Sequence, residues 1–235
     1  FVLRWFVDRL DSSTRLLNAL LDHNLLSRLP NTPLVLTLLA VLYDSDDYRE
    51  IPANLSELYS MFLDLLLGKW NLDRRVETMH NAAIREYLAM EIALEMHDTS
   101  QLSISNQKFT SVITRVATER GITLDIDALM TDFTEQTALL VINDKNEFEF
   151  RHLSFQEFLV GLAVYRRNDN SRIDYLINHF EDSWWTKVLY FYCGLRQDAP
   201  HVLTRIVERY PDMDMQKQIL SMMEFGYLVQ AAYLT

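Results

Sequence analysis

Phe148-Glu149-Phe150-Arg151-His152-Leu153-Ser154-Phe155-Gln156-Glu157-Phe158-Leu159-Val160-Gly161-Leu162-Ala163-Val164-Tyr165-Arg166 is the stretch on which the fold turns. Its first residues alternate apolar and charged, the period of a half-buried strand. Phe155, Phe158, Leu159 and Leu162 then recur at helical spacing on one face. Ser154 with Glu157 three residues on has the capping-box spacing, which predicts a helix with Ser154 as its N-cap. His152 therefore stands where a strand has ended and first-turn N–H groups lack partners, a place whose partial positive charge favours an anion. One side chain there could sense a phosphate; the competing reading is a histidine that merely fastens strand to helix.

Upstream, Ala138 to Ile142 and Glu147 to Arg151 flank the polar turn Asn143-Asp144-Lys145-Asn146, which predicts a two-stranded hairpin. Three helix patterns precede it. Residues 76 to 98 place Ile84, Leu88, Ile92 and Met96 at four-residue steps. Lys108 to Arg120 turns Phe109, Ile113, Val116 and Ala117 inward and stops at Gly121, and Asp125 to Thr137 is the third. Three helices, a small wing and a closing helix make a winged-helix-like unit over residues 76–167.

The first 75 residues read as a helical domain, with helices at Phe1 to Leu10, Ser13 to Leu21 and Asn24 to Leu29. Thr32 caps the next, with Pro33 at the first helical position where the missing N–H costs nothing, and Leu34 to Tyr43 is apolar nearly all round. Asn54, followed by Glu57, caps a long amphipathic helix that leads to Gly68 and Trp70. Beyond Arg167, residues 168–235 carry helix patterns at 172–180, 184–195, 199–210 and 214–233, the start of a repeat-like helical region. The expected class is mainly α: a helical bundle, a winged helix with a small β-hairpin, then paired helices.

Composition narrows the function. Five glycines and five prolines in 235 residues are too few for a β-rich fold with many tight turns. A formal charge of -11 argues against whole-surface attraction to nucleic acid or anionic lipid. Arg74-Arg75 and Arg166-Arg167 read as solvated helix ends. No apolar run approaches the ~20 residues of a membrane span, and a single cysteine, Cys193, fits a reducing, cytoplasmic setting. The chain begins with neither Met nor a leader pattern, so it is expected to start inside a longer protein.

Catalytic constellations are missing from the sequence. The one Gly-Lys pair, Gly68-Lys69, is followed by Trp70 and cannot be a P-loop; no zinc-protease helix, cysteine cluster or nucleophile elbow occurs. Asp44 to Glu50 lacks the glycine and the bidentate glutamate of a calcium loop. Cys193 reads as a buried apolar residue and Trp184-Trp185 as packing anchors. No catalytic residue and no metal ligand is assigned, and the chain by itself is not an enzyme.

Several stretches taken together resemble the segment that follows the nucleotide-binding core of NACHT-type STAND NTPases, signalling ATPases of animal inflammasomes and bacterial antiphage defence. Asn31-Thr32-Pro33-Leu34-Val35-Leu36-Thr37-Leu38-Leu39 is similar to the family's Asn-Pro-Leu-x-Leu-Thr-Leu helix. Ile51-Pro52 to Glu57-Leu58-Tyr59, running to Trp70, is like its proline, Glu-Leu-Tyr and tryptophan helix. Phe150-Arg151-His152-Leu153-Ser154-Phe155-Gln156-Glu157-Phe158 matches its winged-helix signature, and Trp185 to Leu195 resembles the helix that opens the next region. The departures are Thr32 inserted between Asn31 and Pro33, and Val160-Gly161 where the family has two alanines. Met96-His97-Asp98 spells the motif of plant-type receptors but precedes the wing, so it receives no nucleotide role.

The resemblance implies a switch. The winged helix folds back on an ADP-bound nucleotide domain outside this chain and swings away on ATP exchange, allowing homo-oligomerisation in innate immune or antiphage signalling. His152 would touch the β-phosphate and Pro33 would pack on the base or sugar; Mg2+ would enter only through the nucleotide domain. The partners implied are the protein's own nucleotide-binding domain, further copies, and a trigger such as a phage protein. Two other classes remain: a helical adaptor that binds a protein partner without nucleotide, and a winged-helix DNA binder. The latter would read with Lys108 to Arg120, whose Lys108, Arg115 and Arg120 offer little basic character.

Overall fold

The computed structural model describes residues 29–30, 32–44, 52–68, 77–196 and 199–208, with single positions among 14–20 and 222–229. The positions described among 14–20 and 222–229 are helical. Phe1 to Leu10, most of the expected helices at Ser13 to Leu21, Asn24 to Leu29 and 214–233, the acidic loop after Asp44, Trp70 and the Arg74-Arg75 pair lie outside the described residues.

After the helical positions among 14–20, the described residues form α1 (Pro33–Asp44) and α2 (Leu55–Leu66). Thr32 Oγ1 accepts from the Val35 N–H at 3.3 Å, so α1 starts with Pro33 in its first turn. Asn54 Oδ1 accepts from Glu57 N–H at 2.9 Å, and the Glu57 carboxylate takes the Ala53 N–H. Both starts follow from the side chains alone, because each supplies an acceptor that the first turn lacks.

The winged unit runs α3 (Glu77–Asp98), β1 (Ser103–Ile104), α4 (Asn106–Arg120), α5 (Ile126–Thr131), a π-helical turn (Asp132–Gln136), β2 (Leu140–Ile142), β3 (Phe148–Phe150) and α6 (Leu153–Arg167). Gly121 ends α4 in the left-handed conformation, φ 62°, where a Cβ would be strained. The sheet has three antiparallel strands in the order β1-β3-β2, with Ile104 and Ile142 both opposite Phe148. The expected two-stranded wing therefore gains a strand. β1 is two residues long, too short for alternation to register, and its pairing is decided by β3 rather than by its own sequence.

Three further helices follow with bounds among the described residues: α7 (Asn170–Asn178), α8 (Ser183–Arg196) and α9 (Pro200–Val207). The whole is mainly helical with one small antiparallel sheet.

At the centre lies α6, which packs on α3, α8, α2 and β3. Every residue from Phe155 to Val164 is buried, so the helix has no solvent face over its middle turns, whereas the sequence pattern predicted one apolar face. Gly161 explains how α8 comes so close: a Cβ there would stand 3.0 Å from the Val188 carbonyl oxygen and 3.1 Å from Phe191 Cβ. The helix-propensity cost of that glycine, about 1 kcal/mol relative to Ala, is the counterpart of an approach that a larger residue would obstruct. Gly194 does the same on α8, where a Cβ would fall 2.2 Å from Ser56 Oγ.

Arg166 and Arg167 stand exposed in the last turn of α6, as expected of a solvated helix end, and they are also paired. Arg166 Nη2 reaches Glu86 at 2.7 Å, and Arg167 pairs with Glu91, which also takes Arg115 at 3.2 Å. Both carboxylates are buried on α3. The partners of Arg166 lie some 80 residues away in sequence, out of reach of a local pattern.

Candidate functional site

The start of α6 is where the sequence placed its phosphate sensor. Its N-cap is His152, in extended conformation with φ -141° and ψ 136°, and not Ser154. The helix begins two residues before the expected position, and Phe155 N–H bonds back to the His152 carbonyl at 2.9 Å. This releases the Ser154 and Glu157 side chains from capping. Ser154 Oγ instead accepts the Tyr59 hydroxyl at 2.8 Å, which ties the first turn of α6 to α2. Burial raises the Tyr59 phenol to about 12, so it stays a donor.

His152 itself is exposed and its side chain makes no cap hydrogen bond. Its ring centroid lies 6.4 Å from that of Phe155, the ring contact it makes. The first-turn N–H groups of Leu153 and Ser154 have no intrahelical acceptor. Arg151 adds a cation alongside, held by its Nε donating to the Ala138 carbonyl at 2.9 Å. The sequence reading passed over Arg151, although its charge next to a helix N-terminus was visible.

Below this turn the helix is anchored. The Tyr59 ring sits among Phe155, Phe158 and Phe191 at centroid distances of 5.1, 5.5 and 5.0 Å. Asn54 Nδ2 donates to the Gly194 carbonyl at 3.2 Å and Ser56 Oγ to that of Phe191 at 3.1 Å. Glu157 is 3% exposed. Its carboxylate lies 3.9 Å from Lys187 Nζ, and burial raises its pKa against the pull of that ammonium.

Pro33, the second expected contact, is exposed at the first position of α1. α1 packs on α2, and α2 on α6, so one helix links the two expected residues. Each stands at an exposed helix start.

The plant-type tripeptide lies elsewhere. His97 is 0% exposed in the last turn of α3, stacked on Trp184 with centroids 4.5 Å apart and edge-on to Trp185 at the same distance. Cys193 is buried, its thiol raised by burial to about 12, as suits an inert apolar residue. Among the described residues no group of His, Cys, Asp and Glu side chains could hold a metal ion, and no helix is long and apolar enough to cross a membrane.

No protein-family model matches the chain, and no curated protein sequence matches it.

Proposed function

We propose that this chain is a regulatory and oligomerisation segment of a NACHT-type STAND NTPase, closing over ADP through His152 and releasing on ATP exchange. The observation that carries the reading is the exposed imidazole, without a cap hydrogen bond among the described residues, at the N-cap of a helix buried from Phe155 to Val164. A helix start tied to α2 through Ser154 and Tyr59, with the Leu153 and Ser154 N–H groups lacking intrahelical acceptors, presents donors to an anion. The diphosphate of ADP fits that chemistry: His152, the Leu153 and Ser154 N–H groups and the Arg151 charge would face it. Pro33 offers an exposed apolar ring for the base or sugar. When bound, the nucleotide supplies the negative charge that joins the winged unit to the nucleotide domain.

Magnitudes fix the role of the histidine. A hydrogen bond to a charged group contributes about 1.5 to 3 kcal/mol, while driving a two-state switch from 1:99 to 99:1 takes about 5.5. His152 biases the closed state and needs the rest of the interface to hold it. Native mass spectrometry of the natural full-length protein, wild type and His152→Ala, tests this. Wild type should retain ADP, and the variant should bind it roughly ten- to a hundredfold more weakly. Wild type that carries no nucleotide and binds none when ADP is added, or a variant that retains ADP unchanged, overturns it.

A further inference from the structure

His97 is a buried titratable group that the proposed switch does not use. Its surroundings dictate one protonation state. Nε2 lies 2.9 Å from the Trp184 carbonyl oxygen, which can only accept, so Nε2 carries a proton. Nδ1 lies 3.3 Å from the Gln156 Nε2 amide, a donor, so Nδ1 is the acceptor. The orientation of that amide is itself fixed, because the same Gln156 Nε2 donates to the Gln101 carbonyl at 3.2 Å. Flipping Gln156 to receive a proton from Nδ1 would set its oxygen against the Gln101 oxygen. The chain Gln101, Gln156, His97, Trp184 is thus satisfied only by a neutral ring. Trp184 returns its indole N–H to the His97 carbonyl at 3.0 Å, so α3, α6 and α8 meet at this one residue.

We infer that His97 is a neutral-imidazole latch, closing the joint between the winged unit and the α7–α8 pair while unprotonated and opening that joint on protonation. Around it, α3 contributes Asp98, the turn before α8 contributes Asp182, and α7 contributes Arg172, which is bound bidentately to Asp98 at 2.8 and 2.7 Å. α6 presents the neutral Gln156. The two carboxylates favour the imidazolium and Arg172 opposes it, while burial outweighs them and lowers the pKa to about 4. The latch is independent of the nucleotide reading.

The test uses the full chain. Long-range 1H–15N NMR at neutral pH should show His97 as the Nε2–H tautomer. Hydrogen exchange followed by mass spectrometry, corrected for the intrinsic pH dependence, should show protection over residues 182–188 lost on acidification before that of α4. Gln156→Glu supplies an ionised acceptor for Nδ1–H, so the closed joint can hold the protonated ring and the midpoint of this loss should move downward by about 1 to 3 pH units. A protonated or Nδ1–H ring at neutral pH overturns the latch, as does loss of protection in all segments together. A midpoint unmoved by Gln156→Glu does so too, and should that variant fail to fold, the tautomer and exchange pattern of the wild type decide alone.

Discussion

Two histidines of the winged unit, one at the end of α3 and one at the start of α6, are opposites. At the α3–α6–α8 joint, His97 is wholly buried, with both ring nitrogens committed and both faces of its plane in aromatic surroundings. At the start of α6, His152 is exposed and makes no cap hydrogen bond among the described residues. One is part of what makes the fold, the other is carried by it. α6 contributes Gln156 to the first and carries the second at its start, one turn apart.

The comparison breaks most visibly on removal of the buried ring. His97→Ala leaves a cavity and strips partners from Gln156 and the Trp184 carbonyl, so it should cost about 3 to 4 kcal/mol. Urea denaturation measures this, and a change below 1 kcal/mol would mean that the joint repacks without its histidine.

Acid should act through the same residue. The ordinary histidine pKa is 6.5 and the folded value is about 4, so the unfolded chain takes up the proton first. The stability tied to His97 is therefore complete above pH 6.5 and drains away between 6.5 and 4. Linkage over that window gives a loss of about 3 kcal/mol. The difference between urea midpoints of wild type and His97→Phe, followed across the window, isolates the histidine from the carboxylates.

Smaller is the effect expected of Gly194→Ala, whose Cβ would meet Ser56 Oγ at 2.2 Å. The close seating of α2 on α8 should then be lost at a cost of about 1 to 3 kcal/mol. A crystal structure or thermal melt checks it, and an unchanged melting temperature would show that α2 can shift freely on α8.

His152→Ala should change stability least, within about 0.5 kcal/mol, because an exposed side chain without a cap bond contributes little. A large loss in the same urea experiment would put His152 among the residues that hold the fold and erase the contrast with His97.

Local chemistry was readable wherever a side chain and its partner lie within one turn. Thr32 with Pro33, Asn54 with Glu57, and Gly121 announced helix ends that the structure contains. Ser154 with Glu157 obeyed the same rule and misled, since Tyr59 claims the serine and burial beside Lys187 claims the glutamate. Both competitors come from other helices, and neither is within reach of a local pattern.

Sequence by itself determined that the chain is mainly helical, where most helices of the described core begin and end, and that a hairpin runs into α6 at His152. Those are short-range properties, set by propensity, period and capping within a few residues. The tertiary structure alone decided that β1 joins the sheet and that Arg166 and Arg167 answer buried glutamates. It decided as well that Gly161 and Gly194 mark close helix contacts, and that His97 is buried in a hydrogen-bonded chain while His152 is an exposed N-cap. Each of these depends on groups brought together from distant parts of the chain, whose desolvation and pairing energies exist only once the core has closed.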